Sequence, residues 1–200
     1  MGDDSILLFS LFESERNYIQ SILNQVHKPD DLIIEIGCFR GNTSGFLGKY
    51  CKDNGGSLLC IDPWDASQDN SWMYEHECFL KNIKDLPVSF IKDKSNNVDV
   101  SNFKQSSLIF VDGDHTLEGC YNDMKKYYPL LKTGGVMLVH DYYEPYWEKN
   151  IIGAVNKFIN DYNIDPENIK YPQFIEDDEQ SIIEHRRNKN SGGFATIFKI

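Results

Sequence analysis

Apolar residues along this chain follow two spacings that take turns. Between residues 11 and 27, Leu11, Phe12, Tyr18, Ile19, Ile22, Leu23 and Val26 stand among polar neighbours, which predicts an amphipathic helix. Pro29-Asp30-Asp31 ends it. Leu32-Ile33-Ile34-Glu35-Ile36 is a short apolar run closing on a glycine, the pattern of a strand buried on both faces of a parallel sheet. A helix is expected over 42–53, a turn at Asn54-Gly55-Gly56, and a second buried strand over 57–61, stopped by Asp62-Pro63. The pattern then predicts a helix over 71–85 and strands over 88–91 and 108–111. A helix over 116–131 carries Leu117, Cys120, Met124 and Tyr127-Tyr128, with Lys132-Thr133-Gly134-Gly135 as its stop. A fifth strand over 136–139 and a helix over 148–162 follow. Residues 163–190 read as a polar, Pro-containing excursion before a last strand over 194–198.

Strands alternating with helices of this length imply βαβ units and a parallel sheet. Right-handed crossovers put the carboxyl ends of the strands on one edge, where ligands bind in doubly wound folds. The polar residues at those ends are Glu35, Asp62, the group Lys92-Asp93-Lys94-Ser95, Asp112 with Asp114 and His115, and His140 with Asp141. Strand interiors carry almost no charge, so this convergence of acids is the main functional signal. No repeat, low-complexity tract or linker interrupts residues 1–200, which read as one domain with an N-terminal helical segment over 1–28.

At 200 residues the chain can bury a real core. Its net charge of −11 argues against a nucleic-acid surface, which needs clustered Lys and Arg. The five cysteines are odd in number and form no CxxC pair, so neither a disulfide framework nor a zinc site is expected. The acidic start Met1-Gly2-Asp3-Asp4-Ser5 lacks the basic region of a signal peptide, and no apolar run reaches membrane-spanning length. The expected location is the cytoplasm, with no membrane partner. A homo-oligomer stays open.

Gly37 and Gly41 fall at a strand-to-helix turn, where glycine allows positive φ and close backbone approach to a ligand. The helix that follows directs free N–H groups and the positive end of its dipole at that ligand. A dinucleotide fingerprint would read GxGxxG. Here the spacing is GxxxG with Glu35 in front, which suits a cofactor without a pyrophosphate. Asp62 can accept two hydrogen bonds from vicinal ribose hydroxyls. Trp64 can stack on an adenine or serve as a half-buried aromatic.

The series Ile34-Glu35-Ile36-Gly37-Cys38-Phe39-Arg40-Gly41-Asn42-Thr43-Ser44, then Asp62, then Phe110-Val111-Asp112-Gly113-Asp114-His115, then Leu131-Lys132-Thr133-Gly134-Gly135-Val136 resembles the class I S-adenosylmethionine (SAM) dependent methyltransferases. It is most similar to their small branch of macrocin- and mycinamicin-type O-methyltransferases. The resemblance implies an α/β, Rossmann-like, doubly wound sheet of seven strands, mostly parallel with an antiparallel last strand, and helices on both faces. Carried over by position, it implies that Glu35, Gly37, Cys38, Gly41 and Ser44 surround the methionine part of SAM. Asp62 would bind the ribose, Ser95 would lie near the adenine, and Asp112 would face the cofactor. It implies a metal held by Asp112 and by the positions of His140 and Asp141, with Asp114 or His115 as general base. A sugar or sugar-bearing small-molecule acceptor also follows from the resemblance.

The sequence departs from that family where His140 replaces an acid. Asp112 and Asp141 remain as firm oxygen ligands for Mg2+, Asp114 is a further candidate, and a histidine ligand shifts preference towards Mn2+ or a softer metal. A site without metal stays open. So do a non-catalytic SAM-binding protein and a nucleotide-dependent oxidoreductase, against which the GxxxG spacing speaks. The aromatic run Tyr142-Tyr143-Glu144-Pro145-Tyr146-Trp147 stands where a substrate lid would sit. The acidic run 176–179 reads as a solvated face, and His185-Arg186-Arg187 as a weak candidate for an anionic substrate.

Overall fold

The computed structural model describes residues 11–64, 71–143, 148–174 and 192–200. Residues 1–10, residues 144–147 of the aromatic run, the acidic run 176–179 and His185-Arg186-Arg187 lie outside the described residues.

Strands β1 (Leu32–Ile36), β2 (Ser57–Asp62), β3 (Val88–Lys92), β4 (Ser106–Val111) and β5 (Leu131–Val139) pair in parallel. Strands β6 (Ile169–Lys170), β7 (Gln173–Phe174), β8 (Gly192–Gly193) and β9 (Ala195–Phe198) follow. The main sheet has seven strands in the order β3-β2-β1-β4-β5-β9-β6, with β9 antiparallel to both neighbours. The strand β7 pairs with β8 in a two-stranded ribbon. Helices α1 (Glu13–Val26), α2 (Asn42–Asn54), α3 (Ser71–Asn82), α4 (Leu117–Tyr127) and α5 (Glu148–Tyr162) complete the fold. This is the expected doubly wound sheet. Strand order reverses between β1 and β4, which is where such a sheet opens a crevice.

Alternation along the strands splits the core in two. Ile33, Leu108, Phe110 and Leu138 face Ile19, Leu23, Leu47 and Phe79 of α1, α2 and α3. Ile34, Ile109, Val111, Met137 and Val139 face Met124, Tyr127, Val155 and Phe158 of α4 and α5. Helices therefore cover both faces, and β1 and β4 are buried almost throughout. The strand β3 is an edge and correspondingly open to solvent. Among the described residues, no helix is long and apolar enough to cross a membrane.

Three boundaries differ from the pattern-based expectation. The helix expected over 116–131 ends at Tyr127, because a 3-10 turn over Tyr128–Leu130 with Pro129 breaks it. The presumed stop at 132–135 lies inside β5, where Gly134 takes a φ of +77° and the pairing with β4 shifts register. The seventh strand, β6, lies in the segment expected as a polar excursion. Two residues on a sheet edge leave no apolar run to read.

Phe110 sits at the centre of this arrangement, fully buried, with its ring against those of His140 and Phe194. Phe110→Ala is expected to cost ~3–5 kcal/mol of stability, read from urea denaturation midpoints.

Candidate active site

The first loop of the site starts where β1 ends. Gly37 and Gly41 take φ values of +83° and +79°, and Gly41 caps the start of α2. A Cβ on Gly37 would lie 2.0 Å from the carbonyl oxygen of Asp112. Only glycine lets the β1 loop lie this close to the end of β4. The tip of β2 clamps the same loop. Asp62 Oδ2 accepts from the N–H groups of Cys38 (2.8 Å) and Phe39 (3.0 Å), and Oδ1 accepts from Trp64 N–H (2.8 Å). Three of roughly four acceptor positions of this carboxylate are thus taken by backbone. A ribose diol would have to share them.

Trp64 does not offer the adenine-stacking face considered for it. It is buried against Phe79, with Phe90 and His76 around it, and donates its indole N–H to the Phe39 carbonyl at 2.8 Å. Its indole is a wall of the core behind the loop. Cys38 is likewise buried, its thiol near the carbonyls of Glu35 and Ile61. Ser44 is buried on the first turn of α2.

Glu35 lies beneath the loop and has no exposed surface. Its Oε2 accepts from the Cys60 thiol at 3.3 Å, while Oε1 has no hydrogen bond. Burial, with Asp112 and Asp62 nearby, pushes its carboxyl up to about 8, against the pull of Ser44 and Cys60. Glu35 is therefore a neutral acid at pH 7, not an open carboxylate lining the crevice. Ser95, after β3, is half-buried, and its hydroxyl is donated to Asp123 of α4.

The second part of the site is a cluster at the ends of β4 and β5. His115 Nε2 lies 2.9 Å from Asp141 Oδ2 and 3.4 Å from Asp112 Oδ1. His140 Nδ1 lies 3.3 Å from Asp141 Oδ1 and 3.4 Å from Asp112 Oδ1. The other face of the His140 ring, Nε2, meets Glu15 Oε1 of α1 at 3.3 Å. Asp141 holds its place with a φ of +56°, an unusual backbone state for a side-chain-bearing residue. Burial works against ionising Asp112, but the two imidazoles prevail and hold it well below the usual carboxylate range. Burial also opposes charge on the histidines. Asp112 and Asp141 nevertheless raise His115 to about 10, and with Glu15 they raise His140 well above its ordinary value. His115 therefore carries both ring protons at neutral pH in this arrangement and is a donor here, not the free base expected, and the carboxylates push His140 in the same direction.

Asp114 stands apart from the cluster. It is exposed, and its Oδ1 accepts from Thr116 N–H at 2.8 Å, at the entry to α4. Its carboxyl also fills the space beside Gly119, where a Cβ would lie 2.2 Å from Asp114 Cγ. This is a turn-capping role, and the base role considered for Asp114 finds no support in the geometry.

Ligand atoms of Asp112, His115 and Asp141 lie within 4.8 Å of one another. Beside them, His140 Nδ1 is buried without a well-aligned partner and faces the same two carboxylates. Two hard oxygens with one or two imidazole nitrogens form a donor set that fits a divalent cation, Mn2+ better than Mg2+. The expected trio was Asp112, His140 and Asp141; the group that lies together has His115 in the place of His140, which faces the two carboxylates from beside it.

A model of the methyltransferase domain matches residues 34–142, from β1 through the tip of β5. The chain belongs to this methyltransferase domain family. An uncharacterized protein of Acanthamoeba polyphaga mimivirus is 27% identical to this methyltransferase over 156 residues, covering 75% of the chain and 69% of the viral protein. Solved structures share the fold at low identity. The O-methyltransferase from Bacillus cereus in complex with S-adenosylhomocysteine (SAH) superposes with a TM-score of 0.63 at 13% identity, covering 95% of this chain and 83% of that one. The O-methyltransferase TomG from Streptomyces achromogenes, in complex with SAM, gives 0.62 at 13%, covering 96% and 82%. An rRNA methylase from Streptococcus thermophilus gives 0.61 at 11%, covering 92% and 95%.

Two residues packed against this candidate site, Glu15 and Asp123, carry little mark in the sequence pattern. Glu15 is a polar position on an amphipathic helix whose imidazole partner lies 125 positions away. Asp123 is an acid within α4 that turns inward to Ser95. For Glu15, its place three residues after Phe12, whose N–H it caps at 2.8 Å, was the one available cue.

Two outcomes follow from this geometry. Gly37→Ala meets both φ strain and the Asp112 carbonyl, whereas Gly134→Ala, at φ +77° with nothing within 4 Å, meets strain alone. Gly134→Ala should cost ~1–2 kcal/mol and Gly37→Ala clearly more, compared by thermal melts. For Glu35, the folded state holds the proton more tightly than the unfolded chain, whose carboxyl titrates near the ordinary 4.5. Its contribution is therefore most favourable below that value and declines as pH rises towards about 8. Glu35→Gln should flatten the fall in Tm across this window, and a curve parallel to wild type would contradict the buried neutral acid.

Proposed function

We propose that this methyltransferase uses SAM and transfers its methyl group to a hydroxyl oxygen of a small-molecule acceptor. The observation that carries this reading is the meeting of two loops at the β1/β4 switch point. One is a glycine-gated loop leading into the N-terminus of α2 and suited to the cofactor, and the other a cluster of carboxylates and imidazoles suited to a hydroxyl. In this reading Gly37, Cys38 and Gly41 bring backbone against the methionine part, with α2 presenting its N-terminus to the carboxylate. Asp62 shares its remaining acceptor capacity with the ribose, and Ser95 meets the adenine.

The acceptor oxygen attacks the methyl carbon in line with the breaking C–S bond. SAH leaves as a neutral thioether, and the hydroxyl proton must pass to a nearby base. Alignment of oxygen and methyl supplies most of the rate. Asp112, Asp141 and, with their ring protons displaced, His115 and His140 would hold a divalent cation, which when bound would lower the pKa of the acceptor hydroxyl. Asp141 is the carboxylate nearest His115 and keeps that ring oriented towards the acceptor.

Acceptor class draws on two further points. Tyr142 stacks on the half-exposed Tyr171 at 4.8 Å, directly after Asp141, and this aromatic surface suits the face of a sugar ring. A TDP-rhamnose 3'-O-methyltransferase of calicheamicin biosynthesis is among the structures with this fold, at a TM-score of 0.61 and 10% identity. An RNA acceptor, as the rRNA methylase neighbour would suggest, is disfavoured by the net charge of −11.

Titration calorimetry with SAM and SAH, with and without Mn2+, tests the reading. Wild type should bind both cofactors, and Asp141→Ala should lose Mn2+ by electron paramagnetic resonance while keeping SAH. Absence of SAH binding would sink the proposed activity. Equal Mn2+ content in wild type and Asp141→Ala would remove the metal centre alone.

A further inference from the structure

Helix α4 holds the segment after β3 at several points. Lys126 Nζ donates to the carbonyls of Ser95 (2.9 Å) and Asn96 (2.8 Å). Tyr127 donates its hydroxyl to the Ser95 carbonyl at 2.9 Å, and Val98 N–H adds a longer contact at 3.3 Å. The carbonyl of Ser95 is therefore fully occupied. Its hydroxyl is donated to Asp123 Oδ1. Asp123 is buried, and its Oδ2 has no hydrogen bond. A Cβ on Gly113 would lie 3.1 Å from that oxygen and 3.2 Å from Ile36 Cγ2. Asp123 thus stands under the junction of the β1, β3 and β4 ends. It cannot reach a ligand itself, and its exposed extension is Ser95.

A hydroxyl has one proton to donate and two lone pairs to accept with. Asp123 takes the proton, so the hydroxyl oxygen of the half-buried Ser95 can only accept. Across the sheet edge the order is Ser95 (β3), Asp62 (β2), Gly37 (β1), Asp112 (β4), because β2 lies between β3 and β1. A cofactor with its methyl at Asp112 and its ribose at Asp62 therefore puts its base at Ser95. The exocyclic amine carries the only N–H donors of an N9-linked adenine.

We infer that Asp123 is a positioning residue that makes Ser95 an obligate acceptor, so that the site selects a purine bearing an exocyclic amine over one bearing an oxo group. This rests on the SAM reading of the site. Removing either side chain erases the discrimination: Ser95→Ala deletes the acceptor, and Asp123→Ala frees the hydroxyl to donate or accept. Asp123→Asn keeps an acceptor oxygen facing Ser95 and so retains it.

The experiment compares SAH with S-inosylhomocysteine, which has an oxo group in place of the amine, by titration calorimetry on the full chain. Wild type should favour SAH by about tenfold or more, the worth of one well-placed hydrogen bond. The ratio should fall towards one through weaker SAH binding in Ser95→Ala and through stronger S-inosylhomocysteine binding in Asp123→Ala, and stay near wild type in Asp123→Asn. A purely structural role for Asp123 would weaken both ligands together and leave the ratio alone. Should Asp123→Ala not fold, Ser95→Ala carries the comparison. SAH binding with a ratio that Ser95→Ala leaves unmoved overturns this inference and spares the cofactor reading. No SAH binding by wild type overturns both.

Discussion

The carboxyl edge of the sheet depends on how closely two backbones approach. At Gly37 the loop leaving β1 rests on the Asp112 carbonyl at the end of β4, closer than any side chain would permit. That contact joins the two strands between which the topology reverses. It brings the glycine loop and the carboxylate–imidazole cluster into one crevice. Asp62 then fixes the loop from the other side by accepting N–H groups on both sides of the Cys38–Phe39 peptide. The crevice is therefore preorganised by backbone hydrogen bonds, and its side chains inherit that rigidity.

Electrostatics divides the site into two regions of opposite character. Under the loop, Glu35 is buried with thiols and a hydroxyl and holds its proton. A few residues away, two imidazoles hold the Asp112 carboxyl well below the usual carboxylate range. Placing a neutral acid beside the ionised Asp112 keeps like charges from accumulating in a low-dielectric crevice. Glu15 completes the charged half from behind. It bridges His140 and the Gly193 N–H at 2.9 Å, so the N-terminal helix and the β7–β8 ribbon both bear on the orientation of one imidazole.

Much of this was readable from residue order, and the reason is physical. Strands such as Leu32–Ile36 and Ser106–Val111 are buried on both faces, so their apolar runs are continuous and each ends abruptly in a polar group. Gly37 and Gly41 stand out because their spacing has a steric cause. What stayed hidden is long-range or too short to leave a pattern. Glu15 and His140 meet only after folding, and nothing in their local sequence joins them. The two-residue edge strand β6 pairs through backbone alone. Trp64 and Asp114 add another reason: position at a strand end says that a residue is near the crevice, not which way it faces. Trp64 turns into the core and Asp114 turns back to cap its own helix.

The cysteines, which have no part in the proposed chemistry, carry a consequence of their own. All five thiols are free and buried, in the β1 loop, α2, β2, α3 and α4. None can meet a thiol reagent until the segment around it opens. The rate at which each becomes modified thus clocks a separate local fluctuation, from the crevice at Cys38 and Cys60 to the opposite face at Cys120. The chain carries its own set of probes, one element at a time, for where the native ensemble breathes.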